Sequence, residues 1–294
     1  QEKGLSEPNI IQWLDLVALG TICDVVPLVG LNRSLVSQGL KIMAERRNVG
    51  LKALSDVAGI SEAPGTYHAG FMLGPRVNAG GRVGRSEAGS ILLSTEDDQE
   101  AARISHELNT YNAERQAIEA MVLEDAMAQV QNKIGVGGLV PPVIIAANVG
   151  WHPGVIGIVA GRLKDHFNRP TIVIAIDEYG EAKGSARSIM GVDIGAAITA
   201  ARQAEILSAG GGHSMAAGLS MRSERIEELD QFLRHRLGAN VDEAMTSLSL
   251  KLDGVLSLGA VNAELVQLLD SIGPYGQGNA APRFAFSDVF LSYV

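Results

Sequence analysis

The chain has 294 residues, 46% of them hydrophobic, enough to bury a sizeable core and to form more than one domain. One cysteine, Cys23, excludes an internal disulfide framework and a multi-cysteine zinc site, as in a reducing cytoplasm. The net charge of −9 argues against a polyanion partner only until its distribution is read. Arg33, Lys41, Arg46, Arg47, Lys52, Arg76, Arg82 and Arg85 stand against Glu45, Asp56 and Glu62, a local basic stretch suited to phosphate.

The longest apolar runs, such as Val143 to Ala147 and Thr171 to Ile176, are strand-length, so no membrane span is predicted. The start, Gln1-Glu2-Lys3-Gly4, carries no signal-peptide pattern. With no initiating Met, and with Tyr293-Val294 falling inside a strand-like pattern, the chain reads as a piece cut at both ends. It holds no internal repeat and no low-complexity segment.

In chain order, Ile10 to Leu19 predicts an apolar helix ended by Gly20. It delivers Asp24, a carboxylate inside the apolar run Thr21 to Pro27. A buried charged carboxylate calls for a cation or for hydrogen-bond donors; the alternative is a helix or turn cap. Asp15 reads either as a supporting partner of that carboxylate or as part of a polar face, and Cys23 as a small core residue. Helices follow near Ser34 to Arg46 and Leu51 to Ala58. Gly74-Pro75-Arg76-Val77-Asn78-Ala79-Gly80-Gly81-Arg82 predicts a loop. Its arginines, with Arg85, are candidate phosphate or nucleic-acid contacts, against the plainer reading of solvated loop residues.

Ser94 and Thr95 supply N-cap oxygens, and Glu96, Asp97, Asp98 and Glu100 load the following first turn with acid. Ile104, Leu108, Tyr111, Ile118 and Val122 then recur at helical spacing until Gly135-Val136-Gly137-Gly138. This predicts one long helix, Glu96 to Lys133, too polar to be wholly buried and read as the connection between two lobes. The second lobe opens with the strand Pro142 to Ala147, a loop Asn148 to Gly154, a helix Val155 to Phe167 and a strand Thr171 to Ile176, a right-handed βαβ unit. His152 lies in the loop where such sheets bind ligands; a structural hydrogen bond is its alternative role.

Two clusters follow, separated by a helix near Val192 to Arg202. In Gly184-Ser185-Ala186-Arg187-Ser188, Ser185 and Arg187 are two apart, so on an extended strand both leave the same face. Arg187 offers a planar fork suited to phosphate. In Gly210-Gly211-Gly212-His213-Ser214, three glycines predict an N–H nest for phosphate oxygens, with His213 and Ser214 adding donors. The plain alternative is two glycine-rich turns. A helix near Ile226 to Leu237, the alternating run Leu248-Ser249-Leu250-Lys251-Leu252 and a helix near Asn262 to Ser271 come next. Pro274 to Asn279 predicts a turn leading into Arg283 to Phe286, the start of a third, β-rich module.

Taken together, Leu14 to Leu28, the Pro75 to Arg82 segment, Trp151-His152-Pro153-Gly154-Val155-Ile156-Gly157-Ile158-Val159-Ala160, Gly184 to Ser188, Gly210 to His213 and Pro274 to Asn279 resemble the RecJ family. These are single-strand-specific 5′→3′ exonucleases of the DHH phosphoesterase superfamily, and the similarity runs in order over nearly the whole chain. The resemblance implies an α/β fold of two lobes. Residues 1–95 are the C-terminal part of a DHH domain, 96–134 the connecting helix, 135–240 a DHH-associated substrate-binding domain and 241–294 the start of an OB-fold.

It further implies DNA between the lobes and two manganese or magnesium ions in the intact parent, with Asp24 as a metal ligand and catalytic residue. A 5′-phosphate and substrate site is implied at Arg76, Asn78, Arg82, His152, Ser185, Arg187, Gly210, Gly211, Gly212 and His213, with Arg82 preferred to Arg76 at the phosphate. A monomer acting on single-stranded DNA, with a single-strand-binding protein and a helicase as partners, is the implied setting, in DNA repair and recombination. The family's first three motifs do not occur here, and Asp165-His166-Phe167 is no substitute, so this piece alone is expected to be inactive or nearly so. Two alternatives are a DHH phosphodiesterase of oligoribonucleotides or cyclic dinucleotides, and a non-catalytic single-strand-binding relative.

Overall fold

The computed structural model describes residues 9–247, 249–287, 289, 290 and 292. Leu248 and the strand expected at Tyr293-Val294 lie outside the described residues. The chain divides into two compact units, Gln1–Asn112 with Leu250–Val294, and Ala113–Ser249.

In the first unit a 3-10 turn, Ile10–Trp13, leads into α1, Leu14–Cys23. Gly20 does not stop the helix as expected. An interior glycine costs only about 1 kcal/mol relative to alanine, and burial of Ala18 and Leu19 in the same helix outweighs it. α2 (Gly30–Ala44) packs on α1 at Gly39, where a Cβ would strike the Leu14 carbonyl and Ala18. α3 (Val49–Val57) is capped by Asn48, whose Oδ1 accepts from the Leu51 amide at 2.8 Å.

The expected loop at Gly74 to Arg82 is instead helical: a π-helix, His68–Leu73, runs directly into α4, Gly74–Val83. Pro75 is the second residue of α4, at its junction with the π-helix. The glycines there serve close packing rather than a turn, since a Cβ on Gly80 would meet the Arg85 carbonyl and one on Gly74 the Cys23 sulfur. α5 (Ala88–Ser94), which the sequence did not announce, covers Leu92.

α6 runs Asp98–Ile134. Its cap is Asp97, accepting from the Gln99 amide at 2.8 Å and the Glu100 amide at 3.2 Å; Thr95 Oγ1 supports it by accepting from the Asp97 amide at 3.2 Å. Its N-terminal part adds Ala101, Ile104 and Leu108 to a core of Leu51, Leu54, Leu73 and Leu92. Gly135, at φ +69, closes the helix in the left-handed position that glycine tolerates.

Within the same unit, β6 (Gly254–Val255) pairs in parallel with β7 (Phe284–Ala285), and α10 (Ala263–Ser271) is capped by Asn262. The Leu28 amide donates to the Gln277 carbonyl at 2.6 Å. The strand expected from the alternating run does not form over its described residues: Leu250 and Leu252 are both exposed, with no apolar face covering them.

The second unit is built on a sheet of order β1-β2-β3-β5-β4. β1 (Ile144–Val149) and β2 (Thr171–Ile176) are parallel, joined through α7 (Ile156–Phe167). β3 (Glu181–Arg187), β5 (Ala216–Arg222) and β4 (Ala209–His213) continue the sheet antiparallel. Ile172, Ile174, Ala182, Ala186, Leu219 and Met221 pack with α8 (Ile194–Gln203) and α9 (Ile226–Thr246). Ile144, Ala146, Val173 and Ala175 face the other way, toward α7 and the second half of α6. α9 extends well past Leu237 because Leu229, Leu233, Leu237 and Val241 continue its buried stripe.

Candidate functional site

The two glycine clusters are strands, not turns. Gly184 to Arg187 belongs to β3 and Gly210 to His213 to β4, and none of Gly210, Gly211 and Gly212 has a positive φ. The expected N–H nest is therefore replaced by an edge strand. Two of its glycines exist for close packing: a Cβ on Gly210 would lie 2.9 Å from Ile198 Cγ2, and one on Gly212 would meet the Ala216 carbonyl. Gly211 has no atom within 4 Å of such a Cβ, and neither has Gly218, its partner on β5.

The register brings the predicted polar residues together. Arg187, Ala216 and His213 form one row across β3, β5 and β4, and Ser185, Gly218 and Gly211 form the next. Directly paired residues project from the same face, so Arg187 and His213 share a face with two strand spacings between them, about 10 Å. This is the face that carries Val173 and Ala175 under α7 at its other end. Over β5 and β4 it is bare, floored by the exposed Gly211 and Gly218.

Arg187 Nη1 donates to Ser185 Oγ at 3.0 Å and to the Ala186 carbonyl at 2.9 Å. Because Ser185 Oγ accepts that bond, its own hydrogen is directed elsewhere. Against them stands Gly157 in the first turn of α7. A Cβ there would lie 2.9 Å from Arg187 Nη2 and 3.0 Å from Ser185 Oγ, so any larger residue would push these two side-chain ends away from the helix start. A helix N-terminus presents amide donors and a partial positive charge. Hydroxyl, guanidinium and helix start together form a corner of the chemistry an anion would require.

The two histidines are oriented alike. His152 Nδ1 accepts from the Gly154 amide at 3.0 Å, and His213 Nδ1 accepts from the Met215 amide at 3.3 Å. An accepting Nδ1 places the proton on Nε2, so each ring keeps an Nε2–H donor. His152 thus has its structural bond, in the turn before α7. That turn is pinned by Asp125, which accepts from Asn148 Nδ2 at 2.6 Å and Trp151 Nε1 at 2.9 Å. The hairpin that carries His213 is tied down by the Ile194 amide to the Ser214 carbonyl and the Ser188 amide to the Met215 carbonyl.

Two residues escape sequence reasoning here. Gly157 lies within the Trp151 to Ala160 motif, but nothing in the motif gives it a role. Lys183 is exposed on β3, two residues before Ser185, and the Lys183-Ser185-Arg187 alternation was the available signal.

In the first unit, Asp24 is exposed, not buried as its apolar context suggested. It is the C-cap of α1: the Val25 amide donates to the Ile22 carbonyl at 3.1 Å and the Val26 amide to the Thr21 carbonyl at 3.0 Å. This is a Schellman closure whose left-handed position, normally glycine, is taken by Val25 at φ 57. A β-branched residue there stores about 1–3 kcal/mol of strain, a cost that clusters at functional positions.

The buried acid is Asp15, 2% exposed. Burial raises its pKa above the usual carboxylate range, opposed by the Leu16 amide donated at 2.7 Å. The Cys23 thiol is pushed up to about 11 by burial and by the Asp24 charge, which makes it a poor nucleophile. Among the described residues no three His, Cys, Asp or Glu side chains come together as a metal cage. Asp24, exposed at its turn, offers one carboxylate toward such a centre.

Arg76 is engaged within the unit, Nε donating to Asn109 Oδ1 at 3.0 Å and Nη1 to the Met72 carbonyl at 2.7 Å. Arg85 is paired with Glu87 at 3.0 Å and Glu107 at 3.4 Å, with its side chain still 45% exposed. Asn78 and Arg82, four residues apart on α4, are exposed on one face.

The DHHA1 domain family matches residues 141–239 and the RecJ OB domain family residues 252–294. The chain is 36% identical over 290 residues to the single-stranded-DNA-specific exonuclease RecJ of Bacillus subtilis, covering 96% of this chain and 36% of that protein. It is 38% identical over 284 residues to that of Haemophilus influenzae, covering 95% and 49%. The crystal structure of RecJ in complex with Mn2+ from Thermus thermophilus aligns with a TM-score of 0.76 at 31% identity, covering 95% of this chain and 40% of that one. The chain therefore spans half or less of the length of these relatives. No helix among the described residues is long and apolar enough to cross a membrane. With both domains matched in order, and identity at this level over almost all of its residues, the chain belongs to the RecJ family.

Proposed function

We propose that this chain supplies the strand-holding part of a single-stranded-DNA 5′→3′ exonuclease, and that its second unit grips the 5′-terminal phosphate. The observation that carries this is the corner made by Ser185, Arg187 and the α7 start at Gly157, opening onto a bare glycine floor with His213 beyond. A terminal phosphate monoester carries about −1.5 to −2 charge at pH 7, more than an internal diester. A guanidinium, a hydroxyl donor and a helix N-terminus favour the more charged group. Gripping only the terminal phosphate sets the direction of digestion. His152 and His213 add Nε2–H donors, and Asn78 and Arg82 on α4 are assigned to strand phosphates.

The relatives' hydrolysis depends, in this reading, on manganese or magnesium, and Asp24 is assigned as one of the ligands. Held alone, it gives the 294-residue chain binding without cleavage. By family resemblance the working protein is a cytoplasmic monomer in DNA repair and recombination, fed by a helicase and a single-strand-binding protein.

The test is equilibrium binding of 5′-phosphorylated and 5′-hydroxyl single strands. The wild-type chain prefers the phosphorylated strand, and Arg187→Ala removes that preference, about a 10- to 100-fold loss for a charge-assisted contact. His213→Ala weakens both strands. Equal affinity for both strands, unchanged by Arg187→Ala, sinks the assignment.

A further inference from the structure

The π-helix His68–Leu73 and α4 form one continuous helical run with two unlike faces. Ala69, Leu73, Gly74, Ala79 and Gly80 are buried. Tyr67, Phe71, Asn78 and Arg82 are exposed, and Asn78 and Arg82, four apart on α4, share one face of it. The exposed residues of the run thus pass from two aromatic rings to an amide and a cation.

The rings are large apolar surfaces left in solvent, Tyr67 64% and Phe71 72% exposed. They stack on each other, centroids 5.4 Å apart and planes 22° apart. His68 meets Tyr67 edge-on at 5.9 Å, and is itself fixed by Glu62 at 3.1 Å and by the Gly65 amide donating to its Nδ1 at 3.0 Å. The pair lines a cavity of about 390 Å³ together with Val25 and Val26, the residues that follow Asp24. A π-turn is uncommon and recurs at functional positions. Here it brings the rings to the edge of the proposed metal ligand's turn.

Resting on the single-strand reading above, we infer that Tyr67 and Phe71 are a base-stacking platform for single-stranded DNA, with Asn78 and Arg82 receiving the backbone further along the same helical run. Every base has a π-face, so such a platform holds a strand without reading its sequence. Phosphate contacts alone hold an abasic strand equally well; stacked rings do not.

The experiment measures binding of the 294-residue chain to a single strand and to an abasic strand of equal length and equal 5′ end. The wild type favours the strand with bases about tenfold or more, the scale of one or two stacked bases. Phe71→Leu, which keeps an apolar side chain but loses the ring face, and Tyr67→Ala each cut that ratio several-fold at an unchanged melting temperature. Arg82→Ala lowers both affinities and leaves the ratio alone. A wild-type base preference undiminished in Phe71→Leu and Tyr67→Ala overturns the platform while the strand reading stands. No binding of either strand by the wild type overturns both.

Discussion

Two glycine-rich, arginine-bearing segments that look alike in sequence behave differently in the structure. In Gly74 to Arg82, Gly74 and Gly80 sit inside a helix and admit a neighbouring sulfur and a backbone carbonyl; Arg76 is spent on Asn109 and a carbonyl. In β3 and β4, Gly211 leaves open space, and with Gly218 it floors the ground between Arg187 and His213. Where a Cβ would meet backbone the glycine serves packing; where it would meet nothing, as at Gly211, packing does not account for it. Sequence shows only that the Cβ is missing.

Substituting these glycines one at a time separates the two uses. Gly80→Ala has the largest effect on the fold, because its Cβ collides with the Arg85 carbonyl, and overpacking of this kind costs about 1–3 kcal/mol. A lowered denaturation midpoint at unchanged slope is the expected observation. Gly157→Ala displaces the mobile ends of Arg187 and Ser185 rather than backbone. It leaves the midpoint nearly unmoved and reduces the 5′-phosphate preference, by about tenfold if one charge-assisted contact is lost.

Gly211→Ala meets nothing, so stability stays within about 0.5 kcal/mol. Any fall in single-strand affinity then reports the ligand floor directly. Lys183→Ala has a subtler signature. If Lys183 meets a phosphate, the slope of log affinity against log salt shrinks by about 0.7, the single-strand value per neutralised phosphate.

The smallest effect concerns Asp15. Its carboxyl is raised by burial, so the folded state holds the proton more tightly than the unfolded chain does. The associated stability is present below the ordinary carboxylate range and is lost as pH rises through the raised value. Asp15→Asn flattens that decline and raises the melting temperature at neutral pH; an unchanged pH profile contradicts the assignment.

Much of the fold was legible. The β1-α7-β2 unit, α8 and α6 follow from strand-length apolar runs and helical spacing, because those patterns are set by a single buried face. The helix at Gly74 to Val83 was not legible, since Pro75 and the glycines read as loop residues unless their packing partners, distant in sequence, are known. Ser185 and Arg187 were recognisable from their two-residue spacing, while Gly157 acquires its meaning only when β3 is placed beside α7. Asp24 was located, but its exposure and the left-handed Val25 beside it were hidden, because alternation and composition carry no record of φ.

The most direct measurement is a crystal structure of the chain with a short 5′-phosphorylated single strand. The account predicts the terminal phosphate within hydrogen-bond distance of Ser185 Oγ, the Arg187 guanidinium and the first-turn amides of α7, with the strand leaving over Gly211 and Gly218. A terminal phosphate bound elsewhere, with this corner filled only by water, contradicts it.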